Sequence, residues 1–271
     1  MLQFVTAPEV TTLQRMDAFC REFGADLQIR FFGFAWREFD TSLLRHLPNV
    51  ANLSLDTLRA ISDFGPVADL PRLTRLRFGV HEHPDGNFLK QLRLPQLTDL
   101  TLGENKRRNF DLSPLAAAKS LERLFIQGHD RGIEAISGLP HLADVSLSGF
   151  PKRHDLAFLN DLAAMRSLLL ILGSRLSISE FTHSELRKLK IVWVRQLEEL
   201  GPLRRFSGLE DLTIEDQLRL SSLDVGGLNL RRLTINNCKG LKRLVGLEAQ
   251  TRLEHLDVPK MLKPDGGGAP R

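Results

Sequence analysis

Two cysteines are all that the 271 residues contain, and Cys20 and Cys238 stand far apart in the chain. That scarcity excludes a disulfide framework and leaves two reduced, buried thiols as the expectation. Long apolar runs are missing as well: no stretch approaches the roughly 20 residues that a membrane-spanning helix needs. The opening segment, MLQFVTAPEV, has no basic part leading into an apolar one, so no export signal is expected. Charge bias is slight. A formal net charge of +4 with pI near 9.3 does not demand a nucleic-acid partner. There is no phosphate-cradling glycine loop either, because Gly226-Gly227 and Gly266 to Gly268 have neither a Lys-Ser/Thr pair nor a following helix. These absences predict a cytoplasmic protein with no membrane contact and no cofactor.

What the chain does contain is a repeat. In IEAISGLPHLADVSL (133–147), Ile133, Ile136, Leu139, Leu142 and Val145 fall three apart, and then Val145 and Leu147 fall two apart. A step of two is strand spacing, with alternate side chains on one face. A step of three fits the 3₁₀ turn, where residues i and i+3 eclipse. The same apolar-x-apolar pair begins at Leu53, Leu76, Leu100, Leu124, Val145, Leu168, Leu189, Leu212, Leu233 and Leu256, with successive starts 21 to 24 residues apart. One such unit cannot bury its apolar face alone, so the units must stack.

Residues 1–46 do not fit the repeat. Val10, Leu13, Met16, Cys20 and Phe23 mark one face of a helix over residues 8–23, with Thr11 or Thr12 near its start to cap it. Leu27, Ile29 and Phe31 alternate like a strand, and Trp36, Phe39, Leu43 and Leu44 finish the cover. The expected organisation is therefore an N-terminal cap (1–46), a solenoid of about ten repeats (47–262) and a disordered tail (263–271).

The Leu-x-x-Leu-x-x-Leu-x-Leu frame, clearest in LPQLTDLTLGEN (94–105), resembles the leucine-rich repeat family over about four fifths of the chain. LEELGPLRRFSGL (197–209) and LKRLVGL (241–247) are similar to its internalin type. The resemblance implies an α/β solenoid: a right-handed horseshoe with a parallel sheet on its concave face, 3₁₀ or extended segments on its convex face and a helical cap. It also implies non-catalytic recognition of a macromolecule, in roles such as adhesin, regulatory subunit, toxin antagonist or host-directed effector. The sequence departs from the family at the asparagine whose side chain satisfies backbone groups where the chain leaves each strand. That slot holds Leu58, His81, Asn105, His129, Phe150, Gly173, Val194, Gln217, Cys238 and Met261, so a regular ladder is not expected.

Alternation assigns the outward side chains. The residue before each strand pair reads Asn52, Arg75, Asp99, Arg123, Asp144, Ser167, Lys188, Asp211, Arg232 and His255, an alternation of charge that predicts a self-paired cross-strand ladder. The next two rows promise fewer internal pairs. In them Leu169, Ile171 and Val192 should be neighbours, with Lys190 beside them, Trp193 at the rim and Phe125 two strands away. With Arg77 and Glu215 these residues form the candidate concave-face site for a protein partner. A one-residue slip in repeat six would bury Leu169 and Ile171 instead.

An alternative site is the basic edge of strand-exit loops, Lys106, Arg107, Arg108, Lys152 and Arg153, suited to an acidic surface or a phosphate backbone. No aromatic platform is interleaved with it, which disfavours nucleic acid. Chemistry is harder to place. His81, Glu82, His83 and Asp85 lack a second ligand cluster, and His129-Asp130 lacks a nucleophile, so neither a metal site nor an enzyme is expected. The chain should be a monomer, with self-association through an uncovered C-terminal core layer as the other course.

Overall fold

The computed structural model describes residues 1–34, 36–106 and 109–260. Arg107 and Arg108 of the basic edge, the slot residue Met261 and the tail from Lys263 lie outside the described residues. The chain forms two compact units, Met1–Leu142 and Ala143–Arg271.

The first unit holds six parallel strands, each paired with the next: β1 (Leu2–Phe4), β2 (Gln28–Phe32), β3 (Asn52–Leu58), β4 (Arg75–Val80), β5 (Asp99–Leu102) and β6 (Arg123–Gln127). Ile29, Leu53, Leu76, Leu100 and Leu124 lie side by side and are buried, and the register shifts only at the end of β3, between Asp56 and Leu58. The expected N-terminal strand thus joins the sheet of the repeats, while β1 escaped prediction because three residues carry no pattern. The steps of three do form 3₁₀ turns, as at Ser113–Ala117 and Ile133–Ile136, whose Ile133 and Ile136 are fully buried.

Helix α1 (Val10–Phe23) packs a narrower stripe than its periodicity suggested. Leu13 and Cys20 are buried, but Val10 and Phe23 are exposed. Nor does a threonine cap it: Glu9 occupies the cap position without a side-chain bond, and its carbonyl accepts the amides of Thr12 and Leu13. Asp17 ties the helix to the first repeat by accepting from the Asn49 amide at 2.8 Å and from its Nδ2 at 2.6 Å. Trp36, Phe39 and Leu44 are buried as expected.

The second unit contains β7 (Asp144–Ser148), β8 (Ser167–Ile171), β9 (Lys188–Val192), β10 (Asp211–Glu215), β11 (Ser222–Asp224), β12 (Arg232–Asn236), β13 (Arg243–Val245) and β14 (His255–Asp257). Its main sheet runs β7-β8-β9-β10-β12-β14, all parallel. The register of repeat six is resolved: Leu168 and Leu170 are buried, and Leu169 and Ile171 face outward. Of the two segments similar to the internalin type, LKRLVGL (241–247) takes the extended form: its Arg243–Val245 are strand β13, which pairs with β11 in a second small sheet. The reason lies in the glycines. Gly246 sits at φ +79°, and a Cβ there would lie 2.4 Å from the Gly226 nitrogen, so only glycine lets these two arms approach closely enough.

Candidate recognition surface

On the main sheet of the second unit, Leu169 lies opposite Ser146 on one side and Lys190 on the other. Ile171 is likewise flanked by Ser148 and Val192, and Val192 by Glu215. The three apolar side chains are half-buried and adjacent, and their outward neighbours toward β7 are small serines. Lys190 reaches across to β10, where its Nζ meets Glu215 Oε1 at 3.1 Å. Trp193, just past the end of β9, is 56% exposed.

Arg77 and Phe125 belong to the first unit, on β4 and β6. Arg77 is 3.8 Å from Asp56, whose carboxylate is also bound by Arg30. Phe125 is half-buried opposite Thr101. The outward rows therefore carry internal ion pairs that sequence reasoning did not foresee, at Arg77 and at Lys190–Glu215. Conversely, the row expected to pair does so only in part. Arg123 meets Asp99 at 2.8 Å and Arg232 meets Asp211 at 3.7 Å, but Arg75 donates to the Ala25 carbonyl at 3.2 Å.

The strand exits hold what the sequence concealed. Thr57, Gly128, Gly149, Leu172, Trp193, Asp216 and Asn237, each just before the asparagine slot, all adopt positive φ. Gly, Asp and Asn tolerate that conformation, and those four residues were the only signal for it. Leu172 and Trp193 do not, yet they occupy it in adjacent repeats. In the slot itself, Asn105 Nδ2 donates to the Val80 and His83 carbonyls at 2.9 and 3.2 Å. Gln217 Nε2 donates to the Glu215 carbonyl at 2.7 Å, and Cys238 lies 3.3 Å from the Asn236 carbonyl. Leu58, Phe150 and Val194 fill the same slot as plain core residues.

Among the groups considered for chemistry, His83, His129 and both cysteines are buried. His83 is enclosed by Phe64, Phe78 and Phe88, with ring centroids 5.2 to 5.9 Å away. Burial and then the charge of Asp17 push the Cys20 thiol up to about 11, and burial also raises Cys238, which leaves both as poor nucleophiles at neutral pH. Of the basic edge, Lys106 lies in the first unit, and Lys152 and Arg153 lie in the second; all three are exposed. Among the described residues no helix is long and apolar enough to cross a membrane.

Parallel strands one repeat apart, leucines inward and 3₁₀ return arms define a leucine-rich-repeat solenoid. Solved structures share this fold. An internalin of Listeria monocytogenes is similar over 87% of this chain and 75% of its own, at 21% identity and a TM-score of 0.53. Internalin C2 of the same organism matches over 76% of this chain and 90% of its own, at 20% identity and a TM-score of 0.52. In the Toll–Spatzle complex of Drosophila the match covers 94% of this chain and 36% of that one, at 16% identity and a TM-score of 0.55. No family model and no curated protein matches the chain.

Proposed function

We propose that this chain is a non-catalytic, cytoplasmic protein-recognition module, with residues 1–46 as its N-terminal cap. The partner is a protein bound on the outward face of the sheet. The main contact is Leu169, Ile171 and Val192, ringed by Lys190, Glu215 and Trp193; Arg77 and Phe125 are outward contact residues of the first unit's own sheet. The observation that carries this reading is that three neighbouring outward positions hold large aliphatic side chains, two of them beside serines of the adjoining strand β7. An apolar centre with a charged rim is the composition of a binding hot spot. A solenoid surface is already ordered before binding, so little conformational entropy is lost on association. The Toll–Spatzle complex supports the reading as a structure of this fold with a protein bound. Among the roles that the family resemblance offers, toxin antagonist and host-directed effector fit best with a cytoplasmic protein.

The test is proximity labelling in cells with the intact chain, compared with Leu169→Glu and Val192→Glu. Both substitutions are on half-buried outward positions and leave the core intact. Partners labelled by the parent chain and lost with both variants are expected. An identical set of labelled proteins in all three would remove the concave-face assignment.

A further inference from the structure

We propose a second binding site, which shares Trp193 with the sheet-face contact proposed above: a groove along the strand exits of the second unit that takes an extended peptide segment with carboxylates beside aliphatic side chains. Four residues, Leu172, Leu176, Trp193 and Leu218, are the exposed large apolar side chains of this unit among the described residues, at 39%, 60%, 56% and 61%. All four cluster at one set of loops rather than scattering. Scattered single apolar residues need no explanation, but a grouped set does.

Three cavities open along these loops, of about 530, 240 and 450 Å³. Gln196 lines all three, and Lys152 and Arg195 each line two, so they are parts of one groove. It runs from Gly149, after β7, to Leu218, after β10. Four strands at about 4.8 Å spacing give roughly 14 Å, room for about four or five residues of extended chain.

Backbone strain coincides with the groove. Leu172 and Trp193 hold φ +61° and +47° where four other repeats place Gly128, Gly149, Asp216 or Asn237 and one places Thr57. A non-glycine residue there costs on the order of 1 kcal/mol, and such local strain gathers at ligand-binding sites. The turn it creates presents both side chains outward in adjacent repeats.

Charge selects the ligand. Lys152 and Arg195 are exposed and make no ion pair among the described residues. Arg195 uses its Nε on the Gly173 carbonyl at 3.4 Å, which leaves its terminal nitrogens for a carboxylate. The other bases are occupied: Arg175 is held by Glu180 at 3.0 Å and Arg219 by Glu198 at 3.5 Å. Asp155, Glu180 and Asp216 also line the groove. A continuous phosphate backbone would meet these acids, whereas a peptide can set its carboxylates at Lys152 and Arg195 and its aliphatic side chains at Trp193, Leu176 and Leu218.

The experiment selects displayed random twelve-residue peptides on the immobilised full chain and titrates the winners as synthetic peptides, read by tryptophan emission. Trp36 is 8% exposed and Trp193 is 56%, so a blue shift reports Trp193, and Trp193→Phe abolishes it. Selected peptides rich in Asp or Glu with Leu, Ile or Val are expected. Lys152→Glu with Arg195→Glu should weaken them about tenfold or more, and Leu176→Ser with Leu218→Ser similarly. All these positions are exposed, and an unchanged melting temperature verifies folding. Lys190→Glu, on the sheet face, should leave the shift intact, which separates this site from the one proposed above. Several results would overturn the proposal: no enriched peptides, peptides without acidic residues, or binding indifferent to both double variants. It also fails if a single-stranded oligonucleotide displaces the peptides and binds tighter, or if the chain sediments as a dimer that the charge reversals dissociate.

Discussion

The Phe110 amide donates to Nδ1 of His129 at 3.2 Å, and the two rings stack with centroids 4.2 Å apart. On its other side, His129 Nε2 donates to the Gly103 carbonyl at 2.9 Å. The network fixes the neutral imidazole with its hydrogen on Nε2. Histidine thereby ties this slot to the neighbouring backbone, as Asn105 does in its own, and satisfies one donor and one acceptor. It also makes the fold sensitive to acid.

Burial lowers the pKa of His129 and of His83 below the usual imidazole value of 6.5. The unfolded chain therefore binds more protons than the folded one just below that pH, so stability is complete above about 6.5 and declines as pH falls. The lowered carboxyls Asp40 and Asp111 act separately, beneath their ordinary value of 3.8. Urea unfolding should show a falling midpoint between pH 7 and pH 5. His83 has no hydrogen-bond partner for either ring nitrogen among the described residues, so His83→Leu should flatten the decline and add about 1 kcal/mol at pH 7. A midpoint that does not move over this range contradicts the account.

Thr57 holds φ +58°, a conformation that a β-branched residue rarely adopts. Thr57→Asn should therefore stabilise the first unit by about 1 kcal/mol, because asparagine tolerates the left-handed region. Its midpoint in denaturant should rise, and a fall would show that the Thr57 hydroxyl, 3.3 Å from Asp56, matters more than strain.

Gly132 opens the 3₁₀ turn at Ile133–Ile136 at φ +74°, and a Cβ there would stand 2.8 Å from the Ser113 nitrogen. That atom is backbone and cannot rotate away. Gly132→Ala should cost about 2 kcal/mol or more, by positive φ together with displacement of the 113–117 turn. Thermal unfolding of the variant checks this, and a melting temperature equal to the parent's would refute the close approach.

Lys190 and Glu215 form a half-exposed pair at 3.1 Å. Such pairs contribute about 0 to 1 kcal/mol, so Lys190→Glu should barely alter stability while it disrupts partner binding on the sheet face. The double swap, Lys190→Glu with Glu215→Lys, restores the pair but inverts its direction. It should recover any lost stability and leave binding impaired. Full binding by the swapped protein would show that the partner does not read this charge pattern.

The repeat was legible because its code is local. A step of two puts Leu168 and Leu170 inside and Leu169 outside whatever else the chain does, and the 21-to-24-residue period aligns one strand with the next. The helix face misled at Val10 and Phe23 because periodicity says which residues can be buried, not how wide a surface awaits them. Trp193 was foreseen only as a rim residue and the exposed Leu172 not at all, because neither residue favours the left-handed turn that each adopts.

By itself the amino-acid sequence determined the stacking of parallel strands, the inward leucines and the 3₁₀ return arms of the early repeats, since each follows from spacing and the need to bury apolar faces. Only the tertiary structure decided which charges pair, which repeats trade a 3₁₀ arm for a strand, and that a basic, apolar groove runs along the strand exits. Those depend on distances between residues some twenty or more positions apart in the chain, set by the exact rise and turn of each coil rather than by any residue's own preference.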